Sequence, residues 1–427
     1  MSQPLRGLAA VALLLVLGLV SPGCNREPGP SPDQARPATT QAPPATGEAN
    51  AQAAAANDLG LRLYPQLQRD AKTPNVFLSP LSIHLALAMT YNGAAGKTAE
   101  AMAKTLGLAG KSLAEVSAAA KSLLAQLAGD KGAKLLLADS LWCDPRVTFL
   151  PAFLEVNKAN YAAEVRNTDF RDAQKAADLI NGWTKDKTQG KIPQIVEARD
   201  LTQAALVLVN ALYFKGTWDK PFEKGQTQPG PFHLAGGKTK TLPMMQRWGK
   251  MEYRETESYQ AVRLPYQGAT TRMIVFLPKP GKTPAEVLGT LTAKAWPALM
   301  AEQWKGDGHL ALPRFKADYA HSLAPALTAL GMGVAFDQSQ ADFSKMADLK
   351  TAGGAIWISD VLHKCVLEVN EEGTVGAAAT AVPMEMKTAA APAEKQFEMV
   401  VDRPFVLAIE QIGTGSLLFV GAIGEPG

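Results

Sequence analysis

Apolar side chains recur at Leu59, Leu63 and Leu67, the spacing that lines one stripe of a helix. Asn57 and Asp58 stand just before them, and both residue types cap helix starts well. Residues 82–91 are apolar nearly all round, which predicts a helix buried on every side. A further helix follows Pro151, with Phe153 and Val156 turned inward; Ala173, Ala177, Ile180 and Trp183 mark the next. Leu323, Leu327 and Leu330 mark another, stopped by Gly331. Residues 204–214 form a long apolar run with Leu, Val and Tyr, the pattern of a central strand covered on both faces. Residues 273–277 and 356–359 are short β-type runs. Residues 405–409 and 417–420 flank Gly413-Thr414-Gly415 and predict a hairpin. Helices crowd the first third and strands the rest, without an internal repeat, so the class is α+β rather than alternating βαβ.

The first residues do not fit this pattern. Arg6 precedes an apolar run from Leu8 to Val20, then small residues and Cys24, the layout of a secretory signal over residues 1–23. The run is short for a bilayer span, which needs roughly 20 apolar residues. Ser21-Pro22-Gly23-Cys24 is similar to a bacterial lipoprotein cleavage site, although an aliphatic residue is usual where Ser21 stands. Cys24 is therefore the expected lipidation site, and an exported protein, membrane-anchored or secreted, is the expected result. Residues 24–56, rich in Pro, Ala, Thr, Gln and Gly, predict a disordered tether, because they offer too little apolar surface to offset ordering. One folded domain over residues 57–427 remains, with the charged residues nearly balanced at a net +3 and no basic block, which argues against nucleic acid.

Enzyme chemistry finds no support in the residue pattern. Gly96-Lys97-Thr98 and Gly110-Lys111-Ser112 look like ends of phosphate loops, but the earlier glycine such a loop requires is Tyr91 in one case and Thr105 in the other. His84, His233, His309, His321 and His363 lack a second ligand at metal-binding spacing, so no metal or cofactor is expected. A Gly-x-Ser-x-Gly nucleophile elbow is absent from the sequence. Cys143 and Cys365 are the cysteines left beyond Cys24, and sequence cannot say whether they meet.

Several stretches, in order along residues 57–427, resemble the serpin family. They are Asn75-Val76-Phe77-Leu78-Ser79-Pro80, Asn210-Ala211-Leu212-Tyr213-Phe214-Lys215-Gly216-Thr217-Trp218, Pro243-Met244-Met245, Leu264-Pro265-Tyr266, Ala341-Asp342-Phe343-Ser344, Glu368-Val369-Asn370-Glu371-Glu372-Gly373-Thr374 and Arg403-Pro404-Phe405. The resemblance implies helices packed around three β-sheets, with an exposed reactive-centre loop at about residues 374–396. It implies a monomeric suicide inhibitor of serine proteases: the target cuts the loop, becomes acylated, and is carried off as the loop enters the central sheet. No catalytic residue would belong to this chain.

The loop's own composition suits that fate. From Thr374 to Met384 no residue is charged and most are small, including Gly376, Ala377, Ala378 and Ala379. Such a segment can slide between strands without burying charge. The resemblance assigns Glu371, Glu372, Gly373 and Thr374 to the hinge, with Arg314 as the base that pairs with Glu371. Ser79, Ser82, Asn210 and His363 are assigned to a polar cluster beneath the opening point, and Trp218 to the place where insertion begins. The family's cut usually follows the residue fourteen positions beyond the hinge glycine, here Lys387, before Thr388. A lysine there points to trypsin-like proteases, whose pocket ends in an acid. The chain from Lys387 to Pro404 is longer than in many relatives, so Met384, Met386 and Lys395 are alternatives. A serpin fold that serves as a carrier or plain substrate is the competing reading, and an exported hydrolase a more distant one.

Overall fold

The computed structural model describes residues 47–128, 133–202, 204–349, 356–374 and 396–427. Cys24, Gly376, Ala377, Ala378, Ala379, Lys387, Thr388 and the alternatives Met384, Met386 and Lys395 lie outside these residues.

The architecture is α+β. A six-stranded sheet runs in the order Phe315–Ser322, Asp360–Asn370, Gly373–Thr374, Leu206–Thr217, Ala133–Cys143, Glu164–Asn167. A nine-stranded sheet is threaded by the 17-residue strand Thr239–Glu255, which pairs with Gln228–His233 and Gly306–Pro313 along one part and with Tyr259–Pro265 along the other. Two of the three sheets implied by the resemblance are thus continuous through one strand. A two-stranded pair, Ala347–Asp348 with Thr148–Phe149, accompanies them.

Helix Pro80–Tyr91 is buried at every position, as its all-round apolar pattern predicts. Ser79 caps it, accepting from the Ser82 N–H at 3.2 Å, and Pro80 occupies the first turn, where its missing N–H costs nothing. This helix packs under one face of the six-stranded sheet. The other face carries a smaller core: Ala176, Ala177, Ile180 and Trp183 of helix Ala173–Lys187 against Trp142, Val207, Val209 and Val366. The central strand is therefore covered on both sides, and each fully buried Leu or Val along it contributes about 1.5–3 kcal/mol.

Three expectations are corrected. The first helix is Gly47–Arg69, so residues 47–56 are not tether: Ala49, Gln52, Ala53 and Ala56 are buried. Alanine is the best helix former and needs little room, which is why an Ala-rich stretch can dock without large apolar side chains. Asn57 and Asp58 accordingly lie inside the helix rather than at its cap. The Asn57 side chain pins the C-terminal hairpin instead, donating to Gly415 O at 2.7 Å and accepting from Leu417 N at 2.8 Å. Residues 356–359 form no strand; Ile358 N donates to Ala335 O and Ser359 N to Leu206 O, and the ladder starts at Asp360. Both phosphate-loop lookalikes are helix starts: Gly96 opens helix Gly96–Thr105, and Ser112 exchanges hydrogen bonds with Glu115 at the start of Leu113–Ala128.

Candidate functional site

The site lies along one seam of the six-stranded sheet. Residues 360–366 pair in parallel with residues 207–213. Beyond that stretch the two strands part, and Gly373–Thr374 enters between them, antiparallel to both: Thr374 faces Val369 on one side and Gly216 on the other. The chain doubles back after Asn370, whose Oδ1 accepts from the N–H groups of Glu372 and Gly373 at 3.0 and 3.1 Å. Gly373 has φ 153°, and a Cβ there would stand 2.0 Å from Gly216 O, so the turn admits only glycine. Thr374 is fully buried, with its hydroxyl 2.7 Å from Tyr266 OH. Thr374, expected to open the exposed loop, is instead a buried strand residue inside the sheet.

Side chains from both sheets clamp this turn. Trp218 is fully buried, stacks on Tyr266 at 4.5 Å, and donates from Nε1 to Asn370 O at 2.9 Å. Its backbone N–H donates to Glu372 O at 2.9 Å. The buried Glu371 carboxylate accepts from Thr227 Oγ1 at 2.8 Å and pairs with Arg314 at 3.4 Å, as the resemblance implies. Arg314 is half exposed, so the pair itself contributes about 1 kcal/mol or less; the larger cost would come from leaving Glu371 buried alone. Lys224 pairs with Glu372 at 2.5 Å. A cavity of about 870 Å³ opens beside the turn, between Lys224, Thr227, Arg314, Glu371 and Glu372.

The polar cluster sits further down the seam, under helix Pro80–Tyr91. Asn210 is its centre. Its Oδ1 accepts from Ser82 Oγ at 2.5 Å and from His363 Nδ1 at 2.5 Å. His363 Nε2 accepts from Ser79 N at 3.2 Å, which places the ring proton on Nδ1. Burial lowers the His363 pKa to about 3, so the ring is neutral at ordinary pH. Cys365 Sγ lies 3.0 Å from the same Nε2, and burial raises that thiol well above its usual range. Cys143 and Cys365 are buried free thiols.

Ser79, Ser82, Asn210 and His363 thus meet as expected, whereas Trp218 belongs to the hinge clamp and not to this cluster. One member had no place in the sequence reading. The Asn210 amide donates from Nδ2 to the Asp139 carboxyl, and burial pushes Asp139 up to about 7, against the opposing hydrogen bond from Asn210. Its signal was available: a lone acid inside the apolar stretch 135–142. Tyr266, Thr227 and Lys224 were likewise not recognised as hinge contacts.

The hinge geometry yields a direct test. In Gly373→Ala the added methyl cannot coexist with Gly216 O, so Gly373–Thr374 should leave the sheet while the rest of the fold persists. Amide exchange at Thr374 should then quicken at least tenfold, with unchanged protection in Phe405–Gln411. Full protection of Thr374 in the variant would show that the turn is not glycine-dependent.

Comparison with known proteins agrees with this geometry. A family model described as Serpin (serine protease inhibitor) matches residues 54–426. Leukocyte elastase inhibitor A of Rattus norvegicus is 34% identical over 388 residues, covering 88% of this chain and 100% of the relative. An uncharacterized serpin-like protein of Thermococcus kodakarensis is 35% identical over 378 residues, covering 87% of this chain and 85% of the relative. Among solved structures, human thyroxine-binding globulin superposes with a TM-score of 0.80 at 26% identity, covering 89% of this chain and 100% of that one. The thermophilic serpin Tengpin, in its native state, gives 0.78 at 28% identity, covering 89% and 95%. The match spans the seam, the clamp and the cluster alike, and the chain belongs to the serpin family of serine protease inhibitors.

Proposed function

We propose that the protein is a suicide inhibitor of trypsin-like serine proteases, with Lys387-Thr388 as the bait bond. The observation that carries the mechanism is the seating of Gly373–Thr374 between the two seam strands. A strand that has entered by two residues has a register to follow, and the residues next in line are small and uncharged. Cleavage would release the loop to continue between strands Leu206–Thr217 and Asp360–Asn370, dragging the acylated protease with it before water completes hydrolysis.

Lys387 supports the trypsin class because a pocket that ends in a carboxylate gives a desolvated ammonium its partner. The test is to incubate the protein with trypsin, chymotrypsin and elastase, look for covalent complexes on denaturing gels, and weigh the released C-terminal fragment. The expected result is a trypsin complex and a fragment that starts at Thr388. Fragments starting at Glu385 or Lys387 would move the bond to Met384 or Met386 and the specificity to another class. Cleavage without any complex would mean a substrate, not an inhibitor.

We infer further that the inhibitor acts outside the cytoplasm, held at a membrane through a lipid on Cys24, with residues 24–46 as spacer. In a bacterial host, the wild type should partition into detergent and Cys24→Ser into the aqueous phase. Aqueous partition of both would remove the anchor.

A further inference from the structure

Asp139 is a carboxylic acid in a place where strands carry apolar residues. It lies mid-strand in Ala133–Cys143, on the face that packs against helix Pro80–Tyr91, and is 6% exposed. It stands directly across from Asn210, and Asn210 stands directly across from His363. Three strands are thus joined by one row of side chains, Asp139 to Asn210 to His363.

The two links in that row are not equivalent. Admission of the loop parts Leu206–Thr217 from Asp360–Asn370, so the Asn210–His363 bond must break. The Asn210–Asp139 bond joins strands on the same side of the seam and survives. Once the seam parts, Asp139 lies one strand from the gap, at the end of the row that His363 has left, and water can reach it through that row. Water stabilises a carboxylate far more than it stabilises the neutral acid.

We propose that Asp139 is a protonation-sensitive latch: in its neutral form it holds the seam shut, and its ionisation eases the opening that admits the loop. The inference rests on the insertion mechanism proposed above.

The sign follows from linkage. In the closed sheet burial holds Asp139 up to about 7, while opening lets it fall toward the ordinary carboxylate range. Opening therefore releases a proton and becomes easier as pH rises through that interval, by at most about tenfold per pH unit for one proton. Above about 7 both states are ionised and the effect levels off.

Other titratable groups near the row are silent or separable. On the core face of the sheet, His363 is lowered to about 3, Cys143 is raised to about 12, and Cys365 and Tyr319 are raised by burial. On helix Pro80–Tyr91, His84 is lowered to about 4 and Tyr91 is raised. Edge strand Glu164–Asn167 carries the exposed Glu164–Arg166 ion pair, and helix Leu113–Ala128 carries Glu115 and Lys121 on its exposed side. Helix Ala173–Lys187 covers the opposite face of the sheet. His321, paired with His363 on strand Phe315–Ser322, is lowered by burial, and Asp360, at the start of the seam strand Asp360–Asn370, is raised by burial; both are competing titrants. A variant at Asp139 removes one contribution and leaves the other two.

The test compares wild type with Asp139→Asn, which keeps an oxygen for the Asn210 amide and cannot ionise. Each intact protein is incubated from pH 5.5 to 8.5 with an acetylated synthetic peptide of residues 374–387, and uptake is followed by native-gel mobility. Wild-type uptake should quicken at least threefold between pH 5.5 and 7.5 and then level, while Asp139→Asn stays near the slow rate. Equal pH profiles in the two proteins would overturn the latch and leave insertion standing. Uptake by neither protein at any pH would overturn insertion and the latch together. Should Asp139→Asn fail to fold, amide exchange in the wild type decides: corrected for intrinsic pH effects, residues 207–213 should open faster at pH 7.5 than at 5.5 relative to Phe405–Gln411. Identical acceleration in both segments would contradict the proposal.

Discussion

The parallel pairing of residues 360–366 with residues 207–213 is the contact on which the rest of the molecule turns. The neighbouring boundaries, Phe315–Ser322 with Asp360–Asn370 and Leu206–Thr217 with Ala133–Cys143, are paired along nearly their whole length. This one is closed along its lower part and wedged open at its upper end by Gly373–Thr374. Around 10 inserted residues would complete ladder bonds at a net ~0.5–1.5 kcal/mol each, so the fully inserted sheet lies lower by on the order of 10 kcal/mol before packing. On the proposed mechanism the fold as it stands is a trapped state, and its remaining interactions can be read by whether they hold the trap or guide its release.

The clamp and the cluster divide that work. Trp218, Tyr266, Thr227 and Arg314 fix the chain at residues 370–374, which sets the register in which an entering loop would follow. The cluster beneath helix Pro80–Tyr91 crosses the lower seam with hydrogen bonds as well as apolar packing. Polar partners suit a joint that must part and re-form, because each bond lost can be exchanged for one to water or to the incoming strand. Small, uncharged side chains at residues 375–382 complete the arrangement: the first part of the loop to pass between the strands carries nothing bulky.

Much of this was legible from the chain itself. The all-round apolar pattern of residues 82–91 and the long apolar run of residues 204–214 announced two buried elements at the seam, helix Pro80–Tyr91 and strand Leu206–Thr217. The composition of residues 374–384 suggested a segment able to enter a sheet. Other features depend on register and were hidden. Ser79 and His363 meet across 284 residues, and only strand pairing brings Asp139 opposite Asn210. The family resemblance supplied four members of the cluster but not the acid, since a lone Asp in an apolar strand has no local pattern to announce its partner. The first helix began ten residues early for a different reason: Ala and Gln have strong helical propensity and weak hydrophobicity, so residues 47–56 read as spacer until a groove is there to receive them.

On the proposed mechanism the intact chain is a trapped state whose sheet is completed by its own cut loop. The most direct measurement is the melting temperature before and after a single proteolytic cut within residues 375–395. Completion of the sheet by on the order of 10 kcal/mol should raise the melting temperature by at least about 10 °C in a domain this large. A cut protein that melts at or below the temperature of the intact one would contradict the account.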